Sequence, residues 1–269
     1  MKIGVIIVTW NSRKFIDDCI GALLRYEPVS VYVVDNGSID GSADYVSQAY
    51  PSVNLFRLPI NAGFASGNNY GIRQALKDGC NTVLLLNVDT LIDEAFITPC
   101  VKILDEHPSI GIVGPTIVEA LEPNVIQFGG GKFNFWGLRF PVIDKGKTFV
   151  RSDRIKEVDY VLGAAMFIRR EVIDQTNGLD EEYFPAYVEE ADLCYRARSC
   201  GFRSVMYQGV RVRHVGMQSS GGFQNAFRRM MAHRFLFGLK HLNFIKFMIA
   251  AQVLVGRVIL NKIGEKYKL

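Results

Sequence analysis

Short apolar runs alternate with amphipathic stretches through the first third of the chain. Residues 2–8 (KIGVIIV) form a continuous β-branched run, the pattern of a strand covered on both faces. After the break at Trp10-Asn11-Ser12, apolar positions recur at helical spacing (Phe15, Cys19, Leu23, Tyr26), with Ser12 placed to cap a helix over 15–26. Residues 30–34 (SVYVV) predict a second strand, ending in the turn cluster Asp35-Asn36-Gly37-Ser38. A helix over 43–49 and a strand over 53–58 follow, then the Gly/Asn-rich stretch 61–71 and a helix running to about Lys77, with Gly79 as its stop. Residues 82–86 (TVLLL) make another buried strand, leading straight into Asn87-Val88-Asp89. This alternation predicts parallel βαβ units with right-handed crossovers. Ligands of such sheets bind outside the carboxyl ends of the strands. Thr9, Asp35, Asn61 and Asp89 should therefore share one sheet edge.

Downstream the pattern is less regular. It predicts a strand over 111–118, an irregular loop or hairpin over 128–143, and a strand-like segment over 158–169 broken at Gly163-Ala164-Ala165. A helix over 189–200 closed by Gly201 and short strands over 204–207 and 210–215 come next. From 227 to about 263 the pattern is helical, apolar and basic. Its longest uncharged apolar stretch, 247–256, is well short of the roughly 20 residues a membrane span needs. The fold class expected is α/β, with a catalytic domain over 1–226 and a basic, apolar helical extension over 227–269.

Composition sharpens this picture at two points. With 269 residues, 49% hydrophobic and 22% charged, the chain is no disordered segment and can build a core without disulfide or metal staples. Its five cysteines form no CxxC pair, and the short apolar start reaches polar residues by Asn11, which is no signal peptide. Reduced thiols and a cytoplasmic location are expected. The net charge of +4 hides a split. Residues 1–192 carry 17 Lys+Arg against 26 Asp+Glu, or −9, whereas residues 193–269 carry 14 against the single acid Glu265, or +13. Such a block calls for an anionic partner, either nucleic acid or a membrane surface.

Several residues could carry chemistry. Asp89, at a strand end, suits a hard divalent cation bridging to phosphate oxygens, although Asn and Asp after a strand also make ordinary turns. Asp35 could accept a hydrogen bond from a base or ribose, or simply close a turn with Asn36-Gly37. Glu189, Glu190 and Asp192 cluster at a helix start, where the dipole alone favours acids; partial burial would make one of them a general base. His214 could complete a divalent site if its strand end lies near Asp89. The stretch 61–69, including Asn61, Gly67 and Asn68, offers backbone N–H groups to an anion or sugar hydroxyls, or is a tight loop before a helix; it is neither GxGxxG nor a P-loop.

Taken in order, VIIVTWNS, VVDNGSIDGS, NAGFASGNNYG, LLLNVDT, VLGAAMFIRREV, GLDEEYFPAYVEEADLCYRARSCGF and RVRHVG resemble the inverting glycosyltransferases of family 2, most of all their bacterial rhamnosyltransferase-like branch. The resemblance covers about residues 1–217. It implies the A-type glycosyltransferase fold, a nucleotide-diphospho-sugar donor (dTDP- or UDP-linked) and Mg²⁺ or Mn²⁺. It places Thr9, Asn11 and Asp35 at the nucleotide, with Asn61, Gly67 and Asn68 also on the donor side, and Gly163 beside the donor sugar and acceptor. Asn87-Val88-Asp89 matches the Asp-x-Asp metal motif, with Asn in its first position, so that Asp89 and His214 become the metal residues. Glu189-Glu190 matches a Glu-Asp pair whose second member is the usual base. Glu190 is the first candidate and Glu189 the second, since Glu for Asp adds a methylene.

Three competing functions are weaker. A sugar-1-phosphate nucleotidyltransferase needs a Gly-rich loop after the first strand, where this chain has VTWNSRKF. A nucleic-acid-binding protein fits the basic end, but Lys and Arg there are interleaved with Phe, Leu, Ile and Met and no base-reading motif is present. A sugar-binding pseudo-enzyme would not need Asp89, Glu189, Glu190 and His214 together. The basic apolar segment is instead expected on an anionic lipid surface, facing a glycan or polyprenyl-diphosphate-linked acceptor, or else packed on the domain or on a second copy in a homodimer.

Overall fold

In the computed structural model, which describes residues 2–27, 29–216 and 223–266, ten strands join into one mixed sheet among the described residues. The chain begins with β1 (Ile3–Thr9), a 3-10 turn (Arg13–Phe15), a π-helical stretch (Asp17–Gly21) and α1 (Ala22–Tyr26). It continues through β2 (Ser30–Asn36), α2 (Ser42–Ala49), β3 (Asn54–Leu58), α3 (Phe64–Lys77), β4 (Thr82–Leu86), β5 (Thr90–Leu91) and α4 (Ile97–Glu106). Then come β6 (Ile110–Glu119), β7 (Ile126–Phe128), β8 (Ile155–Val158), β9 (Ala165–Arg169), α5 (Arg170–Thr176), α6 (Glu189–Ser199) and β10 (Arg203–His214). Two helices, α7 (Phe223–His241) and α8 (Phe244–Lys266), end the described chain.

The strand order is β3-β2-β1-β4-β9-β6-β10-β5, with β7 beside β6 and β8 beside β10. The four strands expected from the N-terminal pattern are parallel neighbours. Val5, Ile6 and Ile7 are fully buried, so β1 is covered on both faces as its unbroken apolar run requires. Helix α3 lies close against one face. A Cβ on Gly67 would meet Val8 Cγ1 at 2.9 Å, and one on Gly71 would meet Ile6 Cγ2 at 2.5 Å. Gly67 is thus a packing residue at a helix–strand contact.

Three expectations change. The helix over 15–26 is broken into 3-10, π and α segments; at the π-helical stretch Tyr45 and Tyr50 both donate to Asp17 Oδ1 (2.7 and 2.6 Å), and the Tyr50 hydroxyl occupies the space a Cβ on Gly21 would need. Ser12 does not cap it; its hydroxyl donates to the Trp10 carbonyl. The strands over 204–207 and 210–215 are one strand, β10, whose pairing with β6 shifts register between Tyr207 and Arg211. Of the segment over 158–169 only Ala165–Arg169 forms a strand, β9, antiparallel between β4 and β6, while Val158 ends β8, antiparallel to β10.

The expected boundary at 226/227 falls inside α7. Phe237 on that helix is fully buried, with its ring 5.0–6.5 Å from those of Phe133, Phe135, Phe140 and Tyr195. The two final helices part at Leu242-Asn243, where Asn243 Oδ1 accepts from the Lys246 amide. Leu254 and Ala250 of α8 pack on Leu138.

Candidate active site

The carboxyl ends of β1, β2, β4 and β10 open onto one cavity of about 750 Å³. That volume suits a nucleotide-sized ligand. Its wall includes Trp10, Asn11, Asn36, Asn61, Asn87, Asp89, Gly163, Glu189, Glu190 and His214, and Lys14, Lys145 and Arg229 add positive charge to it. Sheet topology brings these residues together from distant parts of the chain, and the shared edge expected for the strand ends is there.

At one end, short β5 pairs antiparallel with β10, Thr90 opposite His214, which sets Asp89 beside the imidazole. His214 Nε2 lies 3.2 Å from Asp89 Oδ1 and 3.3 Å from Asn87 Nδ2. The amides of Val215 and Gly216 donate to the Asp89 carbonyl and to Asp89 Oδ2. Burial works against the charged form of Asp89, but the hydrogen bond and charge of His214, helped by backbone N–H groups, outweigh it and hold the carboxyl below its usual value.

The imidazole is oriented from behind. Gln127 Nε2 donates to Glu119 Oε2 and to the His214 carbonyl, both of which can only accept. Gln127 Oε1 therefore faces His214 Nδ1, at 2.7 Å, and that nitrogen carries a proton and donates it. Nε2 faces Asp89 Oδ1 at 3.2 Å, a spacing that holds either a proton donated from Nε2 to the carboxylate, the pairing that lowers Asp89, or a cation taken by the carboxylate and the Nε2 lone pair. Gln127 and Glu119 were not legible as site residues, because β7 is only three residues long and its pairing with β6 is a long-range outcome.

At the other end stand the carboxylates of α6. Glu189 is buried, Glu190 half-buried, and Oε2 of each is enclosed with no hydrogen-bond partner among the described residues. Burial pushes Glu190 up to about 7, and burial plus the neighbouring Glu190 charge pushes Glu189 well above its usual value. Both carboxyls are thus poised to take or hold a proton near neutrality. The turn before them is strained. Tyr187 and Val188 have φ of 87° and 80°, at a cost of about 1–3 kcal/mol each.

The remaining expected residues divide between the cavity wall and the packing behind it. Thr9 and Asp35 are buried behind the wall: Thr9 Oγ1 donates to Asp35 Oδ1 and the Ser38 amide to Asp35 Oδ2, each at 3.0 Å. Asn11 lines the cavity and ties itself to the 38–39 turn through Ser38 Oγ and the Ile39 amide. Asn61 pairs with Asn36 and the Gly63 amide. Asn68 is buried within α3, donating to the Phe64 carbonyl, so it and Gly67 serve packing and not the cavity wall.

Asp192 also leaves the candidate set. It is fully buried away from the cavity, accepting from Tyr183 and His241 on Oδ1 and from Arg196 on Oδ2. Asp192→Ala strands those donors and should cost about 3–5 kcal/mol of folding stability. Urea denaturation checks this; a loss under about 1 kcal/mol would contradict the hub.

Comparison with known proteins fits this geometry. Residues 2–233 match the family model described as glycosyltransferase like family 2. The chain is 27% identical to the N-acetylglucosaminyl-diphospho-decaprenol L-rhamnosyltransferase of Mycobacterium tuberculosis, over 81% of this chain and 77% of that one. It is 26% identical to the low-salt glycan biosynthesis hexosyltransferase Agl10 of Haloferax volcanii, over 98% and 85%. Its fold is similar to that of a Pyrobaculum calidifontis mannosyltransferase in complex with GDP-Man and Mn²⁺, with a TM-score of 0.61 and 16% identity, over 94% of this chain and 69% of that one. The architecture is the A-type fold expected from the resemblance.

Proposed function

Since the chain belongs to glycosyltransferase-like family 2, we propose that it moves a deoxysugar such as rhamnose from a nucleotide diphosphate to a hydroxyl of a polyprenyl-diphosphate-linked glycan, with inversion at the anomeric carbon. The observation that carries this reading is one cavity with two chemical ends: the Asp89–His214 pair and the Glu189–Glu190 pair, each with an enclosed Oε2 that no donor reaches among the described residues. The rhamnosyltransferase relative, with its lipid-linked acceptor, favours the same donor sugar and acceptor class.

Glu190 accepts the proton of the acceptor hydroxyl as that oxygen attacks the anomeric carbon, and the carbon–oxygen bond to the diphosphate breaks. Glu189, whose burial favours the protonated form, can donate a hydrogen bond to a sugar hydroxyl. Lys14, Lys145 and Arg229 attract the anionic donor. Asp89 and the Nε2 lone pair of His214 fit a divalent cation, which the substrate's phosphates would complete, since among the described residues no three His, Cys, Asp or Glu side chains cluster into a cage of their own. When bound, Mg²⁺ or Mn²⁺ offsets the charge developing on the leaving diphosphate. A screen of dTDP- and UDP-sugars with Mn²⁺, read as nucleoside diphosphate release, tests this function. Release of pyrophosphate would replace it with nucleotidyl transfer.

The basic end supplies a surface for the lipid. Phe244 (77% exposed) and Ile245 (72%) share α8 with half-exposed Met248 and Ile249 and with Lys246. An apolar face with basic residues matches an anionic bilayer, and no helix among the described residues is long and apolar enough to cross one. Phe244→Ser with Ile245→Ser should remove about 2–3 kcal/mol of insertion, close to a hundredfold in binding to phosphatidylglycerol vesicles. Unchanged sedimentation with vesicles would overturn the membrane reading, and dissociation of a dimer would assign the face to a second copy. Removing everything after about Phe227 is a poor test, because it deletes core residue Phe237.

A further inference from the structure

The carboxylate pair stands on a turn that must be forced. Val188, β-branched and left-handed, directly precedes α6, and Tyr187 before it is left-handed too. The grip comes from α7. His233 is buried, with Nδ1 3.0 Å from the Tyr187 carbonyl oxygen. A carbonyl only accepts, so Nδ1 carries the proton and donates. The His233 ring stands edge-on to Tyr183 with centroids 5.6 Å apart. The same helix holds the segment on either side of this bond. Lys240 pairs with Asp180 and, at 3.1 Å, with Glu182, while His241 Nε2 meets Asp192 Oδ1 at 2.6 Å. Helix α7 is thus a splint laid along 180–192, locked to the core by Phe237.

We propose that His233 is a positioning residue: through the Tyr187 carbonyl it keeps the left-handed turn in the conformation that turns Glu190 toward the cavity. It touches neither sugar nor diphosphate. Its effect on turnover rests on Glu190 being the base; its effect on the turn does not.

Two variants separate the hydrogen bond from the packing. His233→Phe keeps a ring against Tyr183 and removes the donor. His233→Asn places an amide N–H where Nδ1 stood. Amide exchange over 187–192 should quicken at least tenfold in His233→Phe and stay near wild type in His233→Asn. With dTDP-rhamnose and Mn²⁺, kcat should fall about tenfold or more in His233→Phe with donor KM unchanged, the acid limb of the pH profile should move, and His233→Asn should restore both. Should the Phe ring unsettle the fold, His233→Gln, whose amide sits one methylene out of place, gives the same contrast with His233→Asn. Wild-type exchange in His233→Phe, or equal impairment in His233→Asn, would overturn the proposal. If Glu190→Gln keeps its turnover, the base assignment fails, and the exchange data still decide the role of His233.

Discussion

Glu190→Gln should lower glycosyl transfer by about 10²–10⁴-fold, the contribution of a well-placed general base. The amide keeps the shape and cannot accept a full proton. Burial raises the Glu190 carboxyl to about 7. The residue is therefore protonated and idle in acid, and kcat/KM of the wild-type protein should rise with pH through about 7 and level off above it. In Glu190→Gln that limb should vanish with the activity. Near-wild-type turnover would move the base to Glu189, which shares the cavity and the raised carboxyl. Because these two carboxyls lie side by side, the limb belongs to the pair, and the variants assign it to a side chain.

Asp89→Ala should show the second large effect. The carboxylate and His214 Nε2 converge at 3.2 Å, and removing Asp89 leaves that end without its carboxylate, with only the Asn87 amide beside the imidazole nitrogen. Several kcal/mol of charge stabilisation at the leaving diphosphate would go with it, about 10²–10³-fold in rate. The direct readout needs no turnover. Mn²⁺ with dTDP should raise the melting temperature of the wild-type protein and leave that of Asp89→Ala unmoved. An equal rise in both would show that the cation, if it binds, uses other residues.

Much of this site was legible because it depends on strand ends. Continuous apolar runs fix where β1, β2 and β4 stop, and in a parallel sheet their stops fall on one edge, which is how Thr9, Asp35 and Asp89 could be placed there beforehand; Asn11 and Asn87 entered through the family resemblance. Glu190 and Asp192 were harder to separate. They are two residues apart on a helix, which turns them about 200° from each other, so one can face the cavity while the other enters the Tyr183–Arg196–His241 hub. Helix α4 carries Pro99 in its first turn, a position where Pro is tolerated although it breaks a helix interior. The antiparallel insertion of β9 and the Gln127 support of His214 follow from pairing between distant segments, which local pattern does not encode. Gly67 and Asn68 looked like loop chemistry from composition alone. Their task is to let α3 lie close to β1 and to donate to the Phe64 carbonyl one turn back.

The burial of Phe237 also sets an order of events during synthesis. Phe133, Phe135 and Phe140 are made long before the ring that closes over them. At about 5–20 residues per second, the wait from Phe133 to Phe237 lasts roughly 5–20 s. Throughout it the aromatic cluster lacks its last member, while β1 to β7 are already made and β8, β9 and β10 are added one after another. The nascent chain is most exposed to chaperones, and to misassociation with its neighbours, in that interval, and the docking of α7 ends it.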